Sequence, residues 1–241
     1  MLSVNNLEYI EKKNKFRIDN VSFSLDDGYL MCLLGPNASG KTTLLDLIFK
    51  RILPKSGSVS FDGKIIETGD ISSFRQVTAY ISAESAFTIS ETPDQHTDLI
   101  KLLYSSFDME LYEHYMNVFE LNNNTRNTPI HKLSTGQQIE YALACTFARK
   151  PRLILMDEPL ANLDPVIKTD LTDIIHQYIM DYNTSVIMST HLLDDITDIC
   201  DYIGLMDNGK LVKFGDRIAL LDDVGCKDLK DFIRVCSKND Q

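Results

Sequence analysis

Eight residues constrain this chain more than any others: Gly35-Pro36-Asn37-Ala38-Ser39-Gly40-Lys41-Thr42, a match to GxxxxGK[ST] placed directly after the apolar run Met31 to Leu34. A strand feeding such a loop, with a helix behind it, requires an α/β architecture whose ligand sits at the carboxyl end of a buried strand. Helical spacing of Leu44, Leu45, Leu47 and Ile48 supplies the helix, expected over Gly40 to Ile52. Small loop residues let successive backbone N–H groups turn toward phosphate oxygens, and the helix offers the positive end of its dipole to the same anion. Lys41 then reaches the β- and γ-phosphates of ATP and the Thr42 hydroxyl binds Mg²⁺, with Thr43 beside it completing the candidate ATP-binding set.

Composition narrows the classes further. The 241 residues suffice for one composite domain, and 44% apolar with 24% charged residues is the balance of an ordered globular protein. With 24 basic against 35 acidic residues the net charge is -11, which argues against nucleic acid as a partner. The cluster Lys12-Lys13-Asn14-Lys15 reads as a solvated turn. Five scattered cysteines without a CxxC pair fit a reducing compartment. No apolar run approaches the roughly 20 residues of a membrane span, so direct membrane insertion is not expected and any membrane role must come through a partner.

Along the chain, β-like runs at Leu2 to Ile10, Phe16 to Leu25, Tyr29 to Leu34, Gly57 to Phe61 and Val77 to Ile81 are separated by Gly and Asn/Asp. From about Pro93 to Ala148 the pattern turns helical, through Leu99, Leu102, Leu103, Phe107, Leu111, Tyr115, Val118 and Phe119. Tyr104, Met109, Tyr112 and Met116 in that stretch read as core or docking surface, and Asn122 to Thr128 as a break between helices. Strand and helix then alternate: Leu153 to Met156, a helix over Pro165 to Tyr182, Ser185 to Ser189, a helix from Leu192, and Tyr202 to Met206. Such alternation predicts a largely parallel sheet covered by helices.

The run Leu153 to Met156 ends in Asp157-Glu158. Carboxylates at the open end of a buried strand are placed for metal and acid–base chemistry, Asp157 toward Mg²⁺ and Glu158 toward the water that attacks the γ-phosphate. Two acidic residues at a strand end are more often merely solvated, so the pair gains meaning only from what surrounds it.

What surrounds it is ordered. Leu133-Ser134-Thr135-Gly136-Gln137 precedes the acidic pair, Ala161-Asn162-Leu163-Asp164 follows it, and His191 comes after the run Val186 to Ser189. From about Leu2 to Leu221 the chain resembles the nucleotide-binding subunit of ABC transporters, whose phosphate loop, signature motif, D-loop and switch histidine occur in this order. The resemblance implies a P-loop NTPase core with an antiparallel β element and a helical subdomain. Residues of about 1–84 and 149–221 would form the core, about 85–148 the helical subdomain and about 222–241 a tail.

It also implies roles. Two subunits would pack head to tail as a homodimer, with Ser134, Gly136 and Gln137 of one copy closing on ATP held by the other and Asp164 coupling the two sites. Thr135, where the family motif reads LSGGQ, is not one of the implied contacts. His191 would stabilise the γ-phosphate and, with Glu158, make up the catalytic pair. The family's Q-loop glutamine is replaced by Ala83, followed by Glu84, so the usual amide contact to metal is missing and Glu84 is the candidate substitute. The aromatic that stacks on adenine falls on Tyr9, with Phe16 as the other choice. An integral membrane permease would be the partner, placing the chain in the cytoplasm, peripheral to the cell membrane. The stretch Tyr104 to Asp108 resembles exporters, which implies export.

Overall fold

The computed structural model describes residues 1–11, 16–82, 90–161, 163–191, 200–226 and 231–232. Four antiparallel strands come first in the architecture: β1 (Leu2–Ile10), β2 (Arg17–Leu25), then, after β3 (Leu30–Leu34) and helix α1 (Lys41–Ile48), β4 (Ser56–Phe61) and β5 (Lys64–Ile65), in the order β2-β1-β4-β5. A short helix α2 (Ile71–Gln76) leads to β6 (Thr78–Ser82). The helical layer follows as α3 (Pro93–Leu103), α4 (Met109–Val118), α5 (Asn123–Arg126) and α6 (Thr135–Ala148). The chain then returns through β7 (Leu153–Asp157), α7 (Pro165–Tyr182), β8 (Ser185–Thr190), β9 (Tyr202–Asp207), β10 (Lys210–Asp216) and α8 (Arg217–Val224).

The second sheet has the order β10-β9-β3-β8-β7-β6, parallel except for β10. Its middle strands are buried on both faces, which is why β3, β7 up to Met156 and the centre of β8, Val186 to Met188, read as apolar runs and not as alternating ones. The period of two reappears in which core each side chain enters. Met31, Leu33, Leu153, Leu155 and Ile187 pack toward α1 and the antiparallel sheet, while Leu30, Cys32, Leu34, Ile154, Met156, Val186 and Met188 pack toward α6 and α7. The loop after β3 is thereby fixed from both sides.

The structure departs from the sequence reading at several places along the chain. The helix after the phosphate loop ends at Ile48, not Ile52, because Phe49 caps it and Lys50 turns the backbone left-handed (φ 58°). Asn122 to Thr128 does not simply interrupt the helices: the Asn122 side chain accepts hydrogen bonds from the N–H groups of Asn124 and Thr125 and starts the one-turn α5. The run Lys210 to Asp216 forms a seven-residue strand that was not foreseen. The basic cluster at residues 12–15, the helix expected from Leu192, and both Q-loop positions, Ala83 and Glu84, lie outside the described residues.

In the helical layer Tyr112, Tyr115, Met116 and Phe119 are core, as the spacing predicts. Leu99, Leu102 and Leu103 are not: all three are exposed on α3, Leu102 by 83%.

Candidate active site

The backbone after β3 shows why glycine stands at both ends of the loop. Gly35 has φ 152°, and a Cβ there would lie 2.2 Å from the Met206 carbonyl oxygen. Gly40 has φ 108°, with its missing Cβ only 2.8 Å from the tip of the Phe16 ring. Between them Ala38 is also left-handed, at φ 63°. The turn is therefore held in a shape most side chains resist, and it delivers Lys41 to the first position of α1.

Lys41 is 5% exposed, and its Nζ donates to the carbonyls of Gly35 at 2.8 Å and Pro36 at 3.2 Å. It also sits 3.4 Å from Oε1 of Glu158. The other carboxylate oxygen of Glu158 lies 2.8 Å from Nδ1 of His191, so one side chain joins the loop lysine to the histidine beyond β8. Glu158 has φ 49° and so bends away from the strand it follows. Asp157, the last residue of β7, is 7% exposed and accepts a 2.6 Å hydrogen bond from the Ser189 hydroxyl. That hydroxyl in turn accepts from the Glu158 N–H at 3.0 Å. Ser189 was not singled out from sequence, although a hydroxyl directly after the apolar run Val186 to Met188, two residues before His191, is the signal that marks it.

These residues fit a polyphosphate and a divalent cation. The Ser39 hydroxyl is buried inside the loop and makes no hydrogen bond, a costly state that an anion at the loop relieves. Thr42 is exposed at the first turn of α1, and the buried Asp157 carboxylate stands at the end of β7 in the sheet that also contains β3, so the two offer the hard oxygen donors Mg²⁺ prefers.

The structure does not bring every predicted site residue to this place. Ser134 and Gln137 form a capping box at the start of α6, the Ser134 hydroxyl accepting from the Gln137 N–H and the Gln137 amide oxygen accepting from the Ser134 N–H, each at 3.2 Å. Gly136 is buried beneath Leu163 and Ile167. Asp164 caps α7 by accepting from the Val166 N–H at 2.9 Å. Among the described residues, none of these four bonds to the phosphate loop or to Glu158. Tyr9 pairs with Ile18 across β1 and β2, while Phe16 is the aromatic that touches the loop at Gly40.

Residues 18–161, more than half of the chain, match the family model described as ABC transporter. The chain belongs to the ABC transporter family. As an ABC ATPase it is 31% identical over 206 residues to the ABC transporter ATP-binding protein YtrB of Bacillus subtilis, covering 86% of this chain and 69% of that one. It is 25% identical to the choline transport ATP-binding protein OpuBA of the same organism, over 97% of this chain and 62% of the relative. Among solved structures, the ATP-binding subunit of an ABC transporter superposes with a TM-score of 0.86 at 23% identity, covering 98% of this chain and 99% of that one. The ATP-binding cassette MJ0796, a dimer bound to ADP and Pi, superposes with a TM-score of 0.77 at 20% identity over 90% of this chain and 98% of that one. The ABC match spans the phosphate loop, the Ser134 motif and Asp157-Glu158, whereas Asp164 and His191 lie beyond it. No helix among the described residues is long and apolar enough to cross a membrane.

Proposed function

We propose that this chain hydrolyses ATP to ADP and phosphate as one of two identical subunits, and that the cycle drives a separate membrane permease. The observation that carries the reading is Glu158, whose two oxygens face Lys41 and His191 at the mouth of the phosphate loop. Lys41, the loop N–H groups of residues 35 and 37–43 and the Ser39 hydroxyl bind the phosphates. Thr42 and Asp157 would hold Mg²⁺, which would supply positive charge to the β- and γ-phosphates. Ser189 orients Asp157 and anchors the Glu158 backbone, so both carboxylates are positioned by one hydroxyl. Glu158 takes a proton from the attacking water, and His191 holds the carboxylate in place from its other side.

Ser134, Gly136 and Gln137 act in trans, which their separation from the loop within one copy supports. The solved relative MJ0796 is described as dimeric in its post-hydrolysis state, and the same arrangement is proposed for this chain. Phe16 is the better-supported adenine platform, because it already packs on Gly40. The exposed leucines of α3 support docking of the permease on the helical layer. Export remains the direction we propose from the stretch Tyr104 to Asp108. A relative named for choline transport makes a transport assay in both orientations of membrane vesicles the necessary check.

Phosphate release from the purified chain tests the core reading. Glu158→Gln should retain ATP binding and lose turnover by a factor on the order of 10² or more, since the amide keeps the shape and loses the basic oxygen. Turnover equal to the unmodified chain would remove Glu158 from the mechanism.

A further inference from the structure

We propose that Gly209, in the turn between β9 and β10, is a positioning residue for the nucleotide, bracing the phosphate loop through the backbone of Ser39. The proposal rests on that loop being the ATP site.

The turn itself follows from sequence. Asn208 and Gly209 join the two strands with φ 45° and φ 79°, and Asp207 pairs with Lys210 across them. Two left-handed residues in a two-residue hairpin turn are what Asn-Gly supplies best, so turn chemistry alone explains a glycine here. The chain contains its own comparison. Asp62 and Gly63 join β4 to β5 by the same kind of turn, with φ 52° and φ 74° and with Phe61 paired to Lys64. A Cβ on Gly63 would meet nothing within 4 Å. A Cβ on Gly209 would overlap the Arg17 carbonyl oxygen and lie 3.5 Å from the Ile18 Cα. One turn stands in open space, whereas the other is pressed against the start of β2.

The polar groups of Gly209 show what that close approach achieves. Its N–H donates to the Ser39 carbonyl at 2.8 Å, and its carbonyl accepts from the Asp19 N–H at 2.9 Å. A single residue thereby bridges the phosphate loop and β2. Neither bond is needed to join β9 to β10. The Asp19 carboxylate also meets Arg17 at 3.3 Å and Lys210 at 3.6 Å, but exposed ion pairs contribute little and the backbone bonds carry the link. The loop closes on β2 a second time at Gly40, where a Cβ would lie 2.8 Å from the Phe16 ring and 2.9 Å from the Ile18 side chain.

Ser39 is where this bracing matters. Its hydroxyl is buried without a hydrogen-bond partner while its carbonyl is held by Gly209. Fixing that carbonyl fixes the adjoining peptide, and with it the aim of the Gly40 N–H and the Ser39 hydroxyl toward the phosphates. Groups aimed beforehand need not be ordered when the ligand arrives, so affinity rises without a new contact.

Such coupling is reciprocal: a turn that favours the binding shape of the loop is itself steadied by bound nucleotide. Two measurements test this, both with Mg²⁺ and ADP so that nothing is hydrolysed. In the unmodified ¹⁵N-labelled chain, nucleotide should slow hydrogen exchange of the Gly209 amide at least about tenfold more than that of Ile66. The Ile66 N–H bonds to the Val59 carbonyl at 2.9 Å in the antiparallel sheet and reports general stabilisation. Then Gly209→Ala is compared with Gly63→Ala, which places the same side chain in the same left-handed turn away from the loop. Calorimetry well below both melting temperatures should find ADP bound at least about tenfold more weakly by Gly209→Ala and with unchanged affinity by Gly63→Ala. If Gly209→Ala does not fold, exchange in the unmodified chain decides alone. The amides of Gly40 and Thr42, followed in the same titration, report loop binding separately. Shifts at those amides with Gly209 slowed no more than Ile66, or equal ADP affinity in the two alanine variants, would overturn the proposal and leave the loop as the nucleotide site. Absence of any shift at Gly40 and Thr42 would overturn both.

Discussion

Glu158 is reached by two positive or polarisable groups, and its backbone is bent out of the strand direction to meet them. The hydroxyl that holds this bend belongs to Ser189, and Ser189→Ala should show what the bend contributes. The variant loses one hydrogen bond to a buried carboxylate, so stability should fall by about 1–3 kcal/mol and turnover should fall further than ATP affinity. Urea unfolding and a comparison of kcat with nucleotide affinity check the two parts. Gly35→Ala is the harsher change at this scale. Its Cβ would meet the Met206 carbonyl oxygen at 2.2 Å in a left-handed backbone, so the variant should lose nucleotide binding measured by calorimetry even where the rest of the chain stays folded. Adenine recognition separates the two aromatic candidates: Phe16→Ala should weaken ATP binding by about 1–3 kcal/mol, as loss of a stacked ring does, and Tyr9→Ala should not.

The elements were legible in the sequence in proportion to how strongly one period dominated them. Strands β3, β7 and β8 stood out because both faces are buried, and α7 because eighteen residues repeat one apolar face between a proline start and a left-handed Asn183. Strand β10 did not, since it is an edge strand with mixed burial that pairs only with β9 and carries lysines at Lys210 and Lys213. The end of α1 was misjudged because Ile52 continues the apolar spacing, while the left-handed turn at Lys50 is written in backbone hydrogen bonds that no side-chain pattern reports. Within the site, the phosphate loop and Asp157-Glu158 were readable from motifs. Ser189 was hidden, because its importance comes from register: β7 and β8 pair Asp157 directly with Ser189. The capping box on α6 has its own measurable weight. Ser134→Ala should cost about 1 kcal/mol in thermal unfolding through lost capping, and a loss of turnover measured well below the variant's melting temperature would report the proposed trans contact.

At the scale of the molecule, Arg149 is a polar link between the helical layer and the sheet. Its guanidinium donates to the carbonyls of Arg75 at 3.0 Å and Thr78 at 2.7 Å while lying 3.6 Å over the Tyr104 ring. Arg149→Ala leaves two carbonyls short of a donor, and unfolding in urea should show a loss of about 2–3 kcal/mol. Lys41 has a different kind of reach. Its ammonium is shared between the loop carbonyls and the carboxylate of Glu158. In the proposed mechanism phosphate oxygens compete for that same ammonium, so the arrival of ATP would loosen the tether on Glu158. On the proposed mechanism this pair is a safety catch: the carboxylate that would deprotonate water stays neutralised by the loop lysine until the molecule it is meant to break has taken its place.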